Sequence, residues 1–177
     1  MKLILTRRFF VRPTRIVARA LLGKYLVRKR GRKSIALMIT EVEAYTGADD
    51  QSSHAAVGVT KRNKVMFGAP GHWYVYLIYG MYYCLNIVTE AKGTPAAVLI
   101  RGLEGISGPG RVCRALGIDQ SLYAKPAARR SGLWVEDRRI NLQSLGYEIH
   151  RTPRVNIGGD ESAKKRLWRY ILTKRNN

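Results

Sequence analysis

Between Trp73 and Tyr83 the chain reads W-Y-V-Y-L-I-Y-G-M-Y-Y, six aromatic residues in eleven. The stretch from Trp73 to Val88 alternates in the way strands do. Its Tyr79-Gly80 pair sits where a tight turn falls, with Gly80 free to take positive φ. The run therefore predicts a β-hairpin, and part of it must pack as ordinary core: Trp73, Val75 and Leu77 share one row. Trp73, Tyr74 and Tyr83 are expected to be mainly structural. Rings that do not pack can stack on nucleic-acid bases or occupy the place of one removed from a helix.

The charge gives that idea a partner. The chain has 32 Lys and Arg against 12 Asp and Glu, a formal net charge of +20. The first forty residues hold twelve basic side chains and no acidic one, the first carboxylate being Glu41, and six more basic residues lie between Lys164 and Arg175. Unbalanced charge repels itself unless a polyanion neutralises it, so a phosphate backbone is the expected ligand. With 46% hydrophobic residues in 177, the sequence suits one domain with a real core rather than a disordered basic tail. No membrane partner is expected: there is no apolar run of spanning length, no signal peptide and no lipidation motif. Cys84 and Cys113 form no CxxC or Cys/His cluster, which points to a reduced compartment and no structural zinc.

Pro13-Thr14 followed by R-I-V-A-R-A-L-L and Gly23 predicts a helix, with Thr14 as its N-cap. Lys24–Arg30 and Lys33–Tyr45 predict strands joined through Gly31. Asp49 to Pro70 is weakly patterned, with one helical turn near Gln51–His54. Thr94–Ile100 reads as an apolar strand ending at Arg101, and Gly108-Pro109-Gly110 precedes a helical Arg111–Leu116. Ser121–Arg139 reads as basic loop, Val155–Ile157 as a strand, and Lys164–Leu172 as a basic amphipathic stretch.

In the second strand, strict alternation puts Ile35, Leu37, Ile39, Glu41, Glu43 and Tyr45 on one face. An apolar, core-facing row then runs straight into two carboxylates. Each glutamate could pair with a nearby arginine, or one could edge a pocket and take a proton from water. His54 matches no zinc spacing and suits packing or stacking. Asn86 could end a strand or read a base edge, and Arg101 could contact phosphate or a buried carboxylate.

Taken together, E-V-E-A-Y-T-G at Glu41–Gly47, His54, K-R-N-K-V-M-F-G-A-P-G at Lys61–Gly71, Y-V-Y-L-I-Y-G-M-Y-Y-C-L-N ending at Asn86, A-V-L-I-R ending at Arg101, S-G-P-G at Ser107–Gly110 and R-V-N-I-G at Arg154–Gly158 resemble the alkyladenine type of 3-methyladenine DNA glycosylase, the methylpurine DNA glycosylases. Lys61 departs from a common proline, and His72-Trp73 and Ser121–Arg139 diverge. The resemblance implies an α+β fold: a single domain over residues 1–177, with a curved antiparallel sheet, surrounding helices and a protruding β-hairpin. It implies Glu43 as general base and Arg101 as the residue that helps hold the water. Tyr45, His54 and Tyr76 would enclose the extruded base, Tyr79 would fill the gap in the duplex, and Asn86 would crowd the amino group of normal guanine. A backbone carbonyl from Arg154–Gly158 would assist. The expected partner is double-stranded DNA containing damaged purines, with no metal or organic cofactor. A monomer in the cytoplasm, associated with the nucleoid if prokaryotic, is expected. The competing expectation is a non-catalytic RNA- or ribosome-binding module, which leaves Glu41, Glu43 and Arg101 without work.

Overall fold

The computed structural model describes residues 2–47 and 49–175. Its strands are β1 (Leu3–Ile4), β2 (Tyr25–Arg30), β3 (Lys33–Thr46), β4 (Trp73–Ile78), β5 (Tyr82–Val88), β6 (Ala96–Leu103), β7 (Ile106–Ser107), β8 (Leu133–Asp137), β9 (Tyr147–Thr152) and β10 (Arg169–Lys174). They form an open sheet in the order β1-β8-β2-β3-β6-β5-β4, with β10 bridging β3 and β9 and β7 added to β6. Every pairing is antiparallel. The helices are α1 (Arg7–Phe10), α2 (Thr14–Leu21), α3 (Pro109–Leu116) and α4 (Glu161–Lys165). The architecture is the expected α+β arrangement.

Helices cover one face of the sheet. Val17, Ala18 and Leu21 of α2 and Val112, Cys113 and Leu116 of α3 lie in the same buried cluster as Trp73, Val75, Leu85, Ile87, Val98 and Ile100. The other face is left to the site. On it, Tyr74, Tyr76, Cys84, Asn86, Leu99, Arg101, Glu43 and Tyr45 occupy the alternate positions, as period-two strands require. The aromatic run is thus divided by its own alternation. Trp73 is fully buried and donates its indole N–H to Leu133 C=O at 3.1 Å, whereas Tyr79 is 76% exposed at the hairpin tip.

Strand β3 departs from the single face the alternation predicts. Ile39 opposes Leu103, Glu41 opposes Gly102 and Val42 opposes Ile100, so Thr40 and then Arg101 are left without opposite numbers. A bulge inserts one residue and reverses which side chains point inward. Before it Ile39 lies in the core, with Met38 also buried and Leu37 partly so; after it Val42 and Ala44 do. Glu41, Glu43 and Tyr45 are therefore aimed at the open face instead of continuing the apolar row, and Ile35 is 47% exposed near the strand's start.

Other boundaries move for local reasons. Pro13 holds the N-cap position of α2, and Thr14 is its buried first residue, with its N–H donated to Glu90 Oε1 at 3.0 Å. The short helical turn expected at Gln51–His54 starts at His54 and runs to Val57, capped by the Ser53 side chain. Arg101 lies within β6 rather than at its end. The stretch read as loop at Ser121–Arg139 contains β8, whose Leu133, Trp134 and Val135 are buried on both faces and so show no alternation. Val155–Ile157 is not a strand. Lys164–Leu172 divides into the end of α4 and the start of β10.

Gly102 makes the bulge possible, because a Cβ there would lie 2.9 Å from Glu41 Cβ and 3.3 Å from Thr40 Oγ1. Gly102→Ala should cost about 1–3 kcal/mol, as overpacked sites do. Urea unfolding monitored by tryptophan fluorescence measures it; an unchanged midpoint would show that the bulge relaxes freely.

Candidate active site

The centre of the site is a carboxylate removed from water. Glu43 has no exposed surface. Its Oε1 accepts the Val155 N–H at 2.8 Å and its Oε2 accepts the Tyr45 hydroxyl at 2.8 Å. Arg101 approaches Oε1 at 3.5 Å through Nη1, but its Nε is closer to Glu41, 2.9 Å from Oε1. Arg169 Nε completes that second carboxylate's pairing at 2.6 Å. The two glutamates thus divide the alternatives raised by their spacing: Glu41 is closely paired with two arginines, and Glu43 takes its close hydrogen bonds from neutral donors with Arg101 farther off. Burial drives the pKa of Glu43 above the usual carboxylate range; Arg101, the Val155 amide and Tyr45 offset this only in part. Burial also pushes the Tyr45 hydroxyl well up, with the Glu43 charge adding to it, so Tyr45 stays a donor.

The loop that supplies the Val155 N–H is fixed by a buried ion pair. Arg154 contacts both Asp50 oxygens, at 2.5 and 2.7 Å, with both side chains fully buried. The same guanidinium donates to Ala44 C=O at 3.1 Å and Ala163 C=O at 3.2 Å, and lies 4.7 Å from the centre of the Tyr45 ring. One side chain therefore ties β3, the segment after Asp50 and α4 together.

Two adjacent cavities open on this face. The larger, about 480 Å³, is lined by Glu43, Arg101, Tyr79, Arg111, Arg114 and Val155, among others. The smaller, about 150 Å³, contains His54, Tyr74, Asn86 and Met66. Tyr45, Tyr76, Ile78, Asn156 and Ile157 border both. The His54 ring stands 4.7 Å from Tyr76 at 67°, and its Nδ1 is 2.7 Å from the Tyr74 hydroxyl. Burial and the nearby Arg62 charge lower the His54 pKa, which favours the neutral imidazole. Asn86 is buried and donates its side-chain N–H to Tyr74 C=O at 3.2 Å.

Tyr79 and Gly80 have φ of 53° and 67°, and Met81 N–H donates to Ile78 C=O at 3.1 Å. Positive φ at both central residues is the pattern of a type I′ hairpin turn. A tyrosine in that region is strained, and such strain gathers at functional sites. Asn156, on the wall shared by the two cavities, also has positive φ, 52°, a conformation that asparagine tolerates.

A family model described as methylpurine-DNA glycosylase matches residues 8–108 and 104–176. The chain belongs to that family. It is 43% identical to a protein of Methanocella arvoryzae, covering 94% of this chain and 91% of the relative. A protein of the Wolbachia of Brugia malayi is 46% identical, over 96% and 97%, and one of Rickettsia felis 43% identical, over 97% and 94%. All three are named "Putative 3-methyladenine DNA glycosylase".

Each side chain singled out on the family's motifs lies on this face: Glu43, Tyr45, Tyr76, Tyr79 and Arg101 border the larger cavity, and His54 and Asn86 the smaller. The segment Arg154–Gly158 lies beside Glu43 and gives it the Val155 N–H. Asp50 and Tyr74 were not recognised as supports. An acid in a weakly patterned loop carries no sequence signal of its partner 104 residues away.

Removing one partner of a fully buried pair typically costs about 3–5 kcal/mol, since the other charge is left uncompensated. Asp50→Ala should lose that much in chemical unfolding and free the Val155 loop. A loss below about 1 kcal/mol would mean that Arg154 finds water instead.

Proposed function

We propose that the protein is a monofunctional DNA N-glycosylase that removes alkylated purines, acting on a nucleotide extruded from the duplex. The observation that carries this reading is the fully buried Glu43 carboxylate at the wall of a cavity that shares lining residues with an aromatic pocket. A base inside a duplex cannot be reached, so the nucleotide must leave the stack, at a cost of a few kcal/mol that is least for weakly paired lesions. Tyr79, exposed and fixed by its turn, is shaped to occupy the vacated space. The base then lies between Tyr45, Tyr76 and His54. An alkylated purine with formal positive charge gains about 0.5–2 kcal/mol from tyrosine faces. Asn86 on the pocket wall crowds the amino group of an unmodified guanine.

The chemistry asks little of the protein. The glycosidic C–N bond breaks with its electron pair passing to the base, which leaves as a neutral molecule. A water held between Glu43 and Arg101 forms the new C–O bond, and Glu43 takes its proton. Of the four lone-pair sites of the Glu43 carboxylate, Val155 takes one on Oε1, with Arg101 near that oxygen, and Tyr45 takes one on Oε2, which leaves Oε2 capacity for a water. Ionised Glu43 also stabilises the oxocarbenium-like sugar, and the raised pKa brings it nearer to the range where a general base is effective. The product is an abasic site with the strand intact, because no lysine lines either cavity among the described residues.

Glu43→Gln should abolish base release from methylated duplex while leaving binding to abasic-site DNA within a few fold. Release at the wild-type rate would remove Glu43 from the mechanism. The same variant should be the more thermostable at neutral pH. The folded pKa of Glu43 lies above its unfolded value, so its ionisation opposes folding above the folded pKa. That penalty fades as pH falls through the folded pKa, and the difference in Tm should close with it.

Tyr79→Ser should weaken binding to lesion-bearing duplex and slow extrusion several-fold, followed by stopped-flow fluorescence of an etheno-base. Unchanged flipping would assign the wedge elsewhere.

A further inference from the structure

The largest concentration of charge in the chain lies outside the site. Arg28-Lys29-Arg30-Gly31-Arg32-Lys33 places five basic residues in six across the β2–β3 turn. All from Lys29 to Lys33 are exposed. The fold adds more charge at the same end. Lys29 N–H donates to Gly132 C=O at 2.8 Å, which seats the exposed Arg129 and Arg130 beside the hairpin. Arg28 is half-buried and reaches Leu116 C=O and Gly117 C=O, each at 3.3 Å, so the hairpin is fastened to the C-terminal end of α3. The Arg30 guanidinium lies against Gly117. Burial, with the Arg30 charge beside it, pushes the Arg28 pKa down. Asp119 is the acid near this group, and it is outnumbered.

The other end of α3 is the cavity. Gly108, Pro109, Gly110, Arg111 and Arg114 all line it. Helix α3 therefore connects the cavity to the hairpin, with exposed Arg111 and Arg114 between. From Arg111 to Gly117 is about 9 Å at 1.5 Å per residue. That is the axial length of roughly three phosphates of one strand at 3.4 Å each.

We propose that this strip, running from Arg111 and Arg114 along α3 to the β2–β3 turn, grips the phosphate backbone of duplex on one side of the lesion. It extends the binding footprint well beyond the flipped nucleotide. The inference rests on the glycosylase reading for the position of the lesion. It adds a polarity: flanking duplex on one side of the lesion contributes affinity through the hairpin, and flanking duplex on the other side does not. Like-charged side chains collected at one end of a sheet repel one another in the free protein, and binding of an anionic strand relieves that cost.

The test is a variant carrying Arg30→Ala, Arg32→Ala and Lys33→Ala together. Arg28 is left in place because it fastens α3. Binding of etheno-base duplexes is measured as salt is raised, using a short duplex and two others extended by about one helical turn, ten base pairs, on one side only. Wild type should gain affinity on one of the two extensions through this strip. The variant should lose that gain, with its salt slope on that duplex shallower by up to roughly 2–3, since each phosphate contact contributes about 0.9. Single-turnover base release from the short duplex should be unchanged, and Arg30→Lys with Arg32→Lys should restore the slope. A wild-type slope in the triple variant, or an equal loss on both extensions, overturns the strip. Absence of base release by wild type would overturn the glycosylase reading instead, and is a separate result.

Discussion

A carboxylate kept wholly out of water has to be compensated, and here one guanidinium shared with a second acid supplies the charge while neutral donors make the close hydrogen bonds. Glu43 takes an amide N–H and a phenol as its close donors, while the nearest guanidinium is spent mainly on Glu41. A full ion pair would have held Glu43 ionised and weakly basic. Neutral donors keep it in place but leave it short of charge compensation, which is the condition for a raised pKa. The neighbouring acid is what absorbs Arg101 and Arg169. Glu41 thus matters to the site by engaging the cations.

The position of that carboxylate depends on one unpaired residue. Without the bulge at Thr40, the phase that buries Ile39 would carry Glu41 and Glu43 into the apolar side of the sheet. Two ionised groups among those side chains would cost several kcal/mol each. The strand's pattern of apolar residues therefore enforces the irregularity, and Gly102 across from it supplies the space.

Much of this was legible in the sequence, and the exceptions have physical causes. The aromatic hairpin, the β2–β3 hairpin, α2 and α3 follow from alternation, turn residues and helix stops, and the structure places them within a few residues. The side chains of the site were found on motifs, and the cavities gather them. What escaped was non-local. Period-two logic cannot see a bulge, so Ile35 and Ile39 were placed on the face of Glu43. A strand buried on both sides, as at Leu133–Val135, gives no alternation to detect. The Asp50–Arg154 pair and the route by which α3 joins the basic turn to the cavity exist only after folding.

The pairing of β10 with β3 has a consequence for how the protein is made. Arg169 lies opposite Glu43 in the ladder, and the loop that supplies the Val155 amide is anchored by Arg154. Both come late in the chain, whereas the glutamates, the stacking rings and the basic turn are all synthesised before them. A nascent chain on the ribosome thus carries its most basic turn and its aromatic hairpin before it carries the residues that hold Glu43 in place. The surroundings of the buried carboxylate are completed last, by the closing strand and the loop before it.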